Sequence, residues 1–256
     1  MRMTVWAPEG LPEIHCGDNI VEALLNAIAP ECLEDGDIVA ISHKIVSKAE
    51  GRVYSPDQIT VTPEARELSE RTGKPADQIQ VILNESRRIL WAQKKGGPVI
   101  TQHHCGYICA NAGVDMSNAD GKILALPSDP DASAAALRKE LERACGVRLG
   151  VVICDTHGRP FREGACGIAV GISGVQALHS YIGLPDRNGR AMKTSVECLA
   201  DEIAAAATLL MGQGDEGLPV VILRGLPRGM GEQCAAQIIR PEEKDIFLQA
   251  LQQAKQ

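Results

Sequence analysis

The stretch Leu149-Gly-Val-Val-Ile-Cys154 decides the fold class, because it is a continuous apolar run and the polar tetrapeptide Asp155-Thr-His-Gly158 follows it directly. A short run of this kind is typical of a strand that is buried on both faces of a sheet. Sheets with such strands are covered by helices on both sides. We therefore expect a layered fold with polar groups at the end of this strand, where α/β proteins usually bind their ligands.

Strands and helices alternate on both sides of this stretch. Residues 38–41 and 220–223 are also continuously apolar, and a further strand at 99–102 follows the break Gly96-Gly-Pro98. Helices are predicted to begin at Asp18, at Thr62-Pro63, at Lys74-Pro75, at Asp131 and at Pro241, and an alanine-rich helix is predicted over 196–211. The predicted class is α/β in the mixed α+β sense. We expect one module over 1–256, with candidate subdomain junctions near 94–98 and 185–190.

The composition excludes several classes of protein. Apolar residues make up 45% of the chain, charged residues 23%, and the net charge is −7, which is typical of a globular protein and not of a disordered one. A protein that binds duplex phosphates is usually basic, and one that stacks bases needs aromatic side chains. This chain is acidic and has only two Trp, three Tyr and two Phe, so we expect no nucleic-acid partner.

The cysteines and the hydropathy suggest where the protein works. Nine scattered cysteines and an N-terminus without an apolar signal core predict reduced thiols in the cytoplasm. Residues 164–185 contain no charged side chain and are long enough to cross a membrane. Because glycine and polar residues interrupt this segment, we interpret it as closely packed structure and expect no contact with a membrane.

One segment after a predicted strand is suited to bind phosphate. Ser42-His-Lys-Ile-Val-Ser-Lys48 contains two lysines, a histidine and two hydroxyls, and lysine is a common phosphate ligand. The alternative is an ordinary solvated strand end. Neither a P-loop nor a G-x-G-x-x-G fingerprint occurs in the chain, so a nucleotide would have to be bound by another architecture.

Two stretches offer hard oxygen ligands. Asn111-Ala-Gly-Val-Asp115-Met-Ser-Asn118 is rich in carboxylate and amide groups, and Asp155-Thr156 follows the buried strand. Mg²⁺ and Mn²⁺ prefer such oxygens. Taken singly, each stretch is explained as well by side chains that cap loop backbone. Their occurrence together favours a metal ion shared by Asp115 and Asp155.

The segment Met211-Gly-Gln-Gly-Asp-Glu-Gly217 has three glycines directly after a predicted helix. Glycines of this density let the backbone approach a ligand closely, and capping of the helix explains only the first of them. Within the predicted helix, Glu197 and Asp201 are four residues apart and would share a face. We interpret that pair as a solvated acidic stripe.

A competing metal signal lies in His103-His-Cys-Gly-Tyr-Ile-Cys109. Zinc accepts these ligand types, but no second ligand pair follows at a suitable spacing, and the segment alternates like a strand. His157 stands beside Asp155, yet no nucleophile is suitably placed for it to activate. We interpret His157 as a turn residue near a phosphate.

Taken together, these segments resemble one family. The matching residues run nearly from end to end: Gly10-Leu-Pro12, Ile45-Val-Ser-Lys-Ala-Glu-Gly-Arg52, Ala112-Gly-Val-Asp-Met-Ser-Asn118, Leu126-Pro-Ser-Asp-Pro-Asp131, Asp155-Thr-His-Gly-Arg-Pro-Phe-Arg162, Val170-Gly-Ile-Ser-Gly174, Ala200-Asp-Glu-Ile-Ala204 and Arg224-Gly-Leu226. The chain resembles the F-420 gamma-glutamyl ligase family. Since 256 residues leave no room for the second domain that some relatives carry, we expect the stand-alone form.

The resemblance implies a fold and a reaction. The fold would consist of two intertwined subdomains that form a homodimer, with the active site in a groove near the interface. The reaction would be the GTP-dependent addition of L-glutamate to coenzyme F-420-0, with further γ-linked glutamates in some members. Mg²⁺ or Mn²⁺ would be needed, with one or two ions per site, and K⁺ would assist. The expected intermediate is an acyl phosphate, and the protein would contribute positioning and charge neutralisation.

The resemblance also implies roles for individual residues. The residues expected to bind the nucleotide are Leu11, Pro12, Glu13, Ile14, His43, Lys44, Lys48, Asn118, Met211, Gly212, Gln213, Gly214, Asp215, Glu216, Gly217 and Leu218. The expected metal ligands are Asp115, Asp155, Thr156 and Gln213, and the expected catalytic residues are Asp155, Lys48 and Asp115. Arg159 and Arg162 are candidates for binding the acidic substrate, since guanidinium groups hold carboxylates and phosphates in a forked geometry.

The chain departs from some relatives at Gln213, where they have glutamate. A neutral amide binds Mg²⁺ more weakly than a carboxylate, and Asp215 or Glu216 would have to compensate. Two alternative functions stay open. The first is a γ-glutamyl ligase that uses the same scaffold on a different carboxylic acid. The second is a non-catalytic module that binds zinc or a nucleotide.

Overall fold

The computed structural model describes residues 2–29 and 32–253 and has a mixed α/β fold. Its largest sheet has five strands in the order β1-β12-β2-β8-β9. These strands are β1 (Thr4–Trp6), β2 (Ile38–Ser42), β8 (Gly150–Arg159), β9 (Arg162–Ser173) and β12 (Val220–Arg224). Strands β2 and β8 are parallel, and every other pair in this sheet is antiparallel. Residues 150–154 therefore lie in β8, an inner strand of the sheet, and are buried, which confirms the predicted buried strand.

Helices cover both faces of this sheet, because successive side chains of its strands belong alternately to two hydrophobic cores. In β2, Val39 and Ile41 belong to one core and Ile38 and Ala40 to the other, and all four are fully buried. The helices on the first face are α1 (Ile20–Ala27), α2 (His43–Ala49) and α5 (Pro130–Cys145), and α6 (Leu199–Met211) covers the second face. The continuous apolar runs in the sequence thus have the cause expected for doubly buried strands.

A third core lies between two further helices and a smaller sheet. The helices are α3 (Pro63–Thr72) and α4 (Ala76–Asn84), and the sheet consists of β4 (Ser86–Ala92), β5 (Val99–His103) and β6 (Ile108–Ala110). The short strands β3 (Val53–Tyr54) and β7 (Ile123–Leu124) form a two-stranded ribbon beside it. Thr62 caps α3 by accepting a hydrogen bond from the backbone N–H of Ala65, which confirms the predicted helix start.

Two loops that were candidate subdomain junctions are turns between paired strands. Residues 94–98 connect the antiparallel strands β4 and β5. Residues 185–190 lie between β10 (Leu178–Ser180) and β11 (Val196–Cys198), which also pair. The last helix, α7 (Ile246–Gln253), follows a helical turn at Glu242–Lys244. Whether the chain divides into subdomains at either loop stays a prediction.

Several predicted boundaries are wrong, and tertiary contacts explain them. Strand β8 does not end at Cys154, because β9 pairs with it as far as Arg159. The predicted helix over 196–211 begins only at Leu199, because 196–198 pair with β10. As a consequence, Glu197 and Asp201 do not share a helix face. Asp201 instead accepts a hydrogen bond from the backbone N–H of Ala169, at 3.0 Å.

The helix caps also differ from the predicted ones. Asn19, not Asp18, caps α1, and Asp129 caps α5. Asp131 lies inside the first turn of α5, and its carboxylate accepts hydrogen bonds from Ile172 and Ala235. Pro241 precedes only a helical turn, and α7 begins at Ile246.

The uncharged segment 164–185 is packed within the fold. A Cβ atom at Gly171 would lie 2.3 Å from the carbonyl oxygen of Pro130, so only glycine lets β9 approach α5 this closely. No helix among residues 2–29 and 32–253 is long and apolar enough to cross a membrane. All nine cysteines are free thiols, as predicted, and the cytoplasmic location stays a prediction.

Candidate active site

Three segments meet at one edge of the five-stranded sheet. Because β2 and β8 are parallel and Ser42 is in register with Cys154, the pairing of the two strands ends at this edge, and β8 continues beyond it. Strand β12 runs antiparallel to β2 and begins there, and Ser42 donates its backbone N–H to the carbonyl oxygen of Pro219, at 2.8 Å. The residues after β2, those after Cys154 and the loop before β12 are therefore neighbours.

A cavity of about 780 Å³ opens between these segments. Residues 11–16 and the turn at 118–122 complete its wall. Its volume lies within the range of small-molecule sites. Its charged side chains are those of Glu13, Lys44, Lys48, Asp120, Lys122, Asp155 and Asp215.

Asp155 lies between two histidines. One carboxylate oxygen is 3.3 Å from Nε2 of His43, and the other is 2.9 Å from Nε2 of His157. Burial alone raises the pKa of the Asp155 carboxyl, but the charge of His43 and the hydrogen bond from His157 outweigh burial, so the pKa lies below its usual range. Nε2 of His43 is buried and forms no hydrogen bond of good geometry in the part of the chain described. Asp155 is thus an anion that is almost enclosed by protein.

Asp115 lies beside the cavity and is held by Lys44. Its carboxylate is 2.9 Å from Nζ of Lys44 and accepts the backbone N–H of Ser117, at 2.7 Å. Burial raises the pKa of the Asp115 carboxyl, but these contacts outweigh it and the net direction is downward. Lys44 lines the cavity, whereas Asp115 stands behind it.

The loop that follows α6 begins at Gly212, where only glycine fits. Gly212 has a φ of +67°, and a Cβ atom there would lie 2.0 Å from the Glu216 carboxyl carbon. The backbone N–H groups of Glu216 itself and of Gly214 hold the pKa of the Glu216 carboxyl below its usual value. Glu216 is therefore turned toward its own loop. Gln213 faces the sheet, and its side-chain oxygen accepts a hydrogen bond from Thr156, at 3.2 Å.

Lys48 projects into the cavity from the last turn of α2. Its ammonium group forms an ion pair with Glu13 on the opposite wall. The Lys48 side chain is 14% exposed and that of Glu13 is 66% exposed, so this pair lies at the mouth of the cavity. Because Glu13 is mostly exposed, its carboxylate holds Lys48 weakly, and an anionic ligand can compete with Glu13 for the lysine.

The structure brings most of the predicted site together. Every residue expected to bind the nucleotide lines the cavity except Glu216, and Asp155 and Thr156 line it too. Arg159 and Arg162 lie instead at the turn between β8 and β9, where they face each other across the hairpin. Four residues of extended strand separate Arg159 from Asp155, which is roughly 13 Å.

Comparison with known proteins assigns the chain to a family. The family model described as F420-0:Gamma-glutamyl ligase matches residues 10–225. The chain belongs to this family. A relative from Methanothermobacter thermautotrophicus named "Coenzyme F420:L-glutamate ligase" is 42% identical over 252 residues, which cover 96% of this chain and 99% of the relative. Relatives with the same name from Methanocaldococcus jannaschii and Methanopyrus kandleri are 45% and 46% identical, and they match 93% and 92% of this chain and 94% and 93% of their own lengths. The protein is thus an enzyme of a ligase family.

Sequence reasoning missed two charged residues in the cavity of this family member. Asp120 and Lys122 line the cavity from the turn at 118–122, where Asp120 has a φ of +51°. The signal was present in Asn118-Ala-Asp-Gly-Lys122, where Asn, Asp and Gly are typical turn residues. His157 was assigned to a turn, and this assignment is wrong because the residue lies in β8.

The histidine and cysteine stretch does not assemble a zinc site. His103 ends β5, Nδ1 of His103 accepts the backbone N–H of Cys105, and Cys109 is buried in β6. Within residues 2–29 and 32–253, no group of three or more His, Cys, Asp or Glu could hold a metal ion. The predicted alternation as a strand is interrupted by a turn between β5 and β6.

The donor set at the sheet edge fits a hard divalent ion that is only partly ligated by protein. Asp155, Thr156 and Gln213 offer oxygens at this edge, and Thr156 is hydrogen-bonded to Gln213. Asp115 offers a further carboxylate behind Lys44. Mg²⁺ usually keeps several waters and binds one or two carboxylates together with substrate phosphates. Such a site does not require the third acidic or histidine ligand that is missing among the described residues.

Proposed function

We propose that this protein is a GTP-dependent ligase that adds L-glutamate to coenzyme F-420-0 and extends it by further γ-linked glutamates. The observation that carries the proposal is the cavity at the sheet edge, where the anion Asp155 and the cations Lys44, Lys48 and Lys122 line one space of nucleotide size. The names of the relatives supply the acceptor and the amino acid.

The proposed reaction activates a carboxylate. The γ-phosphoryl group of GTP transfers to a carboxylate oxygen of the acceptor, so that GDP leaves and an acyl phosphate forms. The amino group of L-glutamate then attacks the acyl carbon. The ammonium group first loses one proton to solvent to become the attacking amine. The new C–N bond then replaces the C–O bond to phosphate, and the leaving phosphate takes up the second proton from nitrogen as HPO₄²⁻. No covalent intermediate with the enzyme is required.

The residues of the chain would act by position and charge. Lys48 would exchange its contact with Glu13 for a phosphate oxygen and neutralise charge during transfer. Asp155 and Asp115, with Thr156 and Gln213, would hold Mg²⁺ or Mn²⁺, and K⁺ would assist. The divalent ion, when bound, would neutralise charge on the phosphate oxygens. His43 and His157 would keep the Asp155 carboxylate in place.

The proposal includes a homodimer of two-subdomain protomers. Support comes from Ile182, Leu184 and Val196, which are large apolar residues of the β10–β11 region with about half of their surface exposed. Exposed apolar residues that cluster in this way often mark a contact between proteins. Light scattering on the purified protein would test it, since a monomer at micromolar concentration would contradict it.

The decisive experiment for the reaction is a mass-spectrometric assay. Purified protein would be incubated with F-420-0, GTP, L-glutamate and Mn²⁺, with ATP replacing GTP in a parallel reaction. We expect a ladder of products that differ by one glutamyl residue, formed with GTP only. Unchanged F-420-0, with GTP hydrolysed on addition of another carboxylic acid, would favour the alternative acceptor. Unchanged substrate without any GTP binding would contradict the proposal.

A further inference from the structure

The proposed reaction takes away the partner of Glu13. In the free protein the Glu13 carboxylate forms an ion pair with Lys48 in the large cavity at the sheet edge. When Lys48 turns to a phosphate oxygen, the carboxylate stays in the wall of the cavity without this cation. An ionised carboxylate only accepts hydrogen bonds and repels phosphates, so its new partner there has to be a donor group.

The chemistry of the reaction supplies such a donor. L-Glutamate arrives with an ammonium group, and the amine formed from it must come within roughly 3–3.5 Å of the acyl carbon. The acyl phosphate would lie against Lys48, because this lysine contacts the phosphoryl group that is transferred. A carboxylate that contacts Lys48 in the free protein is therefore within reach of the incoming ammonium group.

The other carboxylates of the large cavity are less suited to this role. Asp155 is almost enclosed by protein and is a proposed ligand of the divalent ion. Asp120 and Asp215 also line the cavity, but neither forms an ion pair with Lys48 in the part of the chain described. Glu13 thus differs from them in its contact with the cation that would change partner.

A cation in the same cavity is available for a carboxylate of the amino acid. Lys122 lines the cavity, and its ammonium group has no hydrogen bond or ion pair with any other described residue. Lys44, by contrast, is already held by Asp115 and Ser117. Because L-glutamate carries two carboxylates and one ammonium group, a site for it needs a cation in addition to Glu13.

A second, smaller cavity of about 230 Å³ offers no alternative place for the amine. His157 lines this small cavity and Asp155 lines the large one, and the walls of the two cavities have no residue in common. An amine in the small cavity would be separated from the acyl phosphate by the Asp155–His157 pair. The small cavity also combines one arginine, Arg240, with three carboxylates, which would repel a ligand of net negative charge.

We propose that L-glutamate binds in the large cavity, with its ammonium group on the Glu13 carboxylate and one of its carboxylates on Lys122. This inference rests on the proposed function, which makes L-glutamate the substrate. Glu13 exchanges one cation, Lys48, for another, the substrate ammonium group. Binding of GTP to Lys48 therefore releases Glu13, and L-glutamate then binds more tightly.

The test combines steady-state kinetics and calorimetry on Glu13→Gln in the full chain. Glutamine keeps the length of the side chain and removes its charge. We expect the KM for L-glutamate to rise about tenfold, the effect of one hydrogen bond between charged groups. The Kd for a non-hydrolysable GTP analogue, measured with Mn²⁺, should stay equal or fall by up to about fivefold, because Glu13 no longer competes for Lys48. A purely structural role would not weaken the binding of L-glutamate while leaving that of the nucleotide equal or tighter.

Lys122→Gln tests the other end of the amino acid. The KM for L-glutamate should again rise about tenfold, and Lys122→Arg should recover part of the loss. Glu67→Gln and Lys139→Gln, at exposed positions of α3 and α5, are the matched controls and should behave like the wild type. If Glu13→Gln does not fold, the decision rests on Lys122→Gln, in which an unchanged KM for L-glutamate overturns the inference.

Two results for Glu13→Gln would also overturn the inference. One is an unchanged KM for L-glutamate. The other is weaker binding of the GTP analogue, which would mean that Glu13 binds the base or the ribose. In the wild type, calorimetric titration with L-glutamate should give an affinity at least about fivefold higher with the GTP analogue and Mn²⁺ than without them. Equal affinities would contradict the exchange of partners at Glu13.

The same titration separates the binding site from the proposed reaction. If the wild type makes no product but binds L-glutamate, and Glu13→Gln binds it about tenfold more weakly, the reaction fails and the site stands. If the wild type makes product and Glu13→Gln binds and uses L-glutamate normally, the site is wrong and the reaction stands. If the wild type neither makes product nor binds L-glutamate, both are wrong.

Discussion

Asp155 and Glu85 are both carboxylates buried beside imidazoles, but only Asp155 faces a cavity. Asp155 lies at a sheet edge between His43 and His157, and its surroundings open toward about 780 Å³ of space. Glu85 follows α4 and contacts Arg52 at 2.6 Å and His103 at 3.6 Å. In the part of the chain described, neither Glu85 nor these two partners line either cavity.

The partners of Glu85 make it part of a closed network. Arg52 donates to Glu85, to the hydroxyl of Tyr54 and to the carbonyl oxygen of Leu126, so each of its three guanidinium nitrogens is engaged. By contrast, among the described residues Lys48 at the cavity has only the exposed Glu13 as its ion-pair partner. The difference teaches that a buried carboxylate with a lowered pKa does not by itself mark an active site. Access for a ligand and a cation that can change partner are also needed.

The strongest test of this comparison is Asp155→Asn. We expect kcat to fall by about 10²- to 10³-fold, because the carboxylate that would hold the divalent ion loses its charge. Asparagine has nearly the same shape but removes the charged partner of His43 and His157, so the melting temperature should also fall and kcat is compared for the folded fraction. The measurement is the mass-spectrometric assay with purified, folded variant. A folded Asp155→Asn protein with near-normal turnover would remove Asp155 from the site.

The matched variant in the closed network is Glu85→Gln, which should lose stability without losing kcat. Removal of one partner from a buried pair leaves Arg52 uncompensated, and we expect a loss of about 3 kcal/mol in the free energy of unfolding. For a chain of this size, that corresponds to a melting temperature lower by roughly 6–12 °C. Calorimetry and the activity of the folded fraction would be compared, and kcat should be nearly unchanged. A large loss of kcat at normal stability would show that the network is not merely structural.

The pH dependence of stability provides a third test. Burial raises the pKa of the Glu85 carboxyl, but His103 and Arg52 outweigh burial and lower it below its ordinary value of 4.5. A carboxyl whose pKa is lower in the folded state stabilises the protein fully above the ordinary pKa and loses this effect as the pH falls. The stability difference between the wild type and Glu85→Gln should therefore be largest near neutral pH and smaller by pH 4. Urea denaturation between pH 4 and pH 7 measures it, and a difference that does not change with pH would contradict the assignment.

The sequence predicted the candidate active site around Asp155 far better than the closed network around Glu85. The paired parts of β2 and β8, which finish at Ser42 and Cys154, follow from continuous apolar runs, and the parallel arrangement brings the polar residues after them together. No such rule relates Arg52 to Glu85, which are 33 residues apart and belong to no common pattern. Their contact depends on how α4 packs beside the β3–β7 ribbon.

The element boundaries that were predicted wrongly also depend on contacts with residues that are distant in the sequence. Residues 196–198 pair with β10, and Asp131 binds backbone groups of Ile172 and Ala235 instead of capping its own helix. Local pattern alone favours a helix at residues 196–198 and a helix cap at Asp131. Likewise, β8 continues past Asp155 only because β9 returns alongside it, and this extension brings His157 onto the Asp155 carboxylate.

The smallest expected effect concerns Gln213, which is a neutral amide in the candidate active site. Gln213 contacts Thr156 through a neutral oxygen, so a carboxylate at this position would add a negative charge beside the donors proposed for the divalent ion. In Gln213→Glu we expect the Mn²⁺ concentration for half-maximal activity to fall about two- to fivefold, the size of one interaction between exposed charges. Gln78→Glu on α4 adds the same charge outside both cavities and should leave the Mn²⁺ requirement unchanged. If both variants shift it equally, the effect belongs to net charge and not to the site. If Gln213→Glu raises the requirement, the carboxylate repels Asp155 more than it helps to hold the ion, and the donors at the sheet edge do not share one metal.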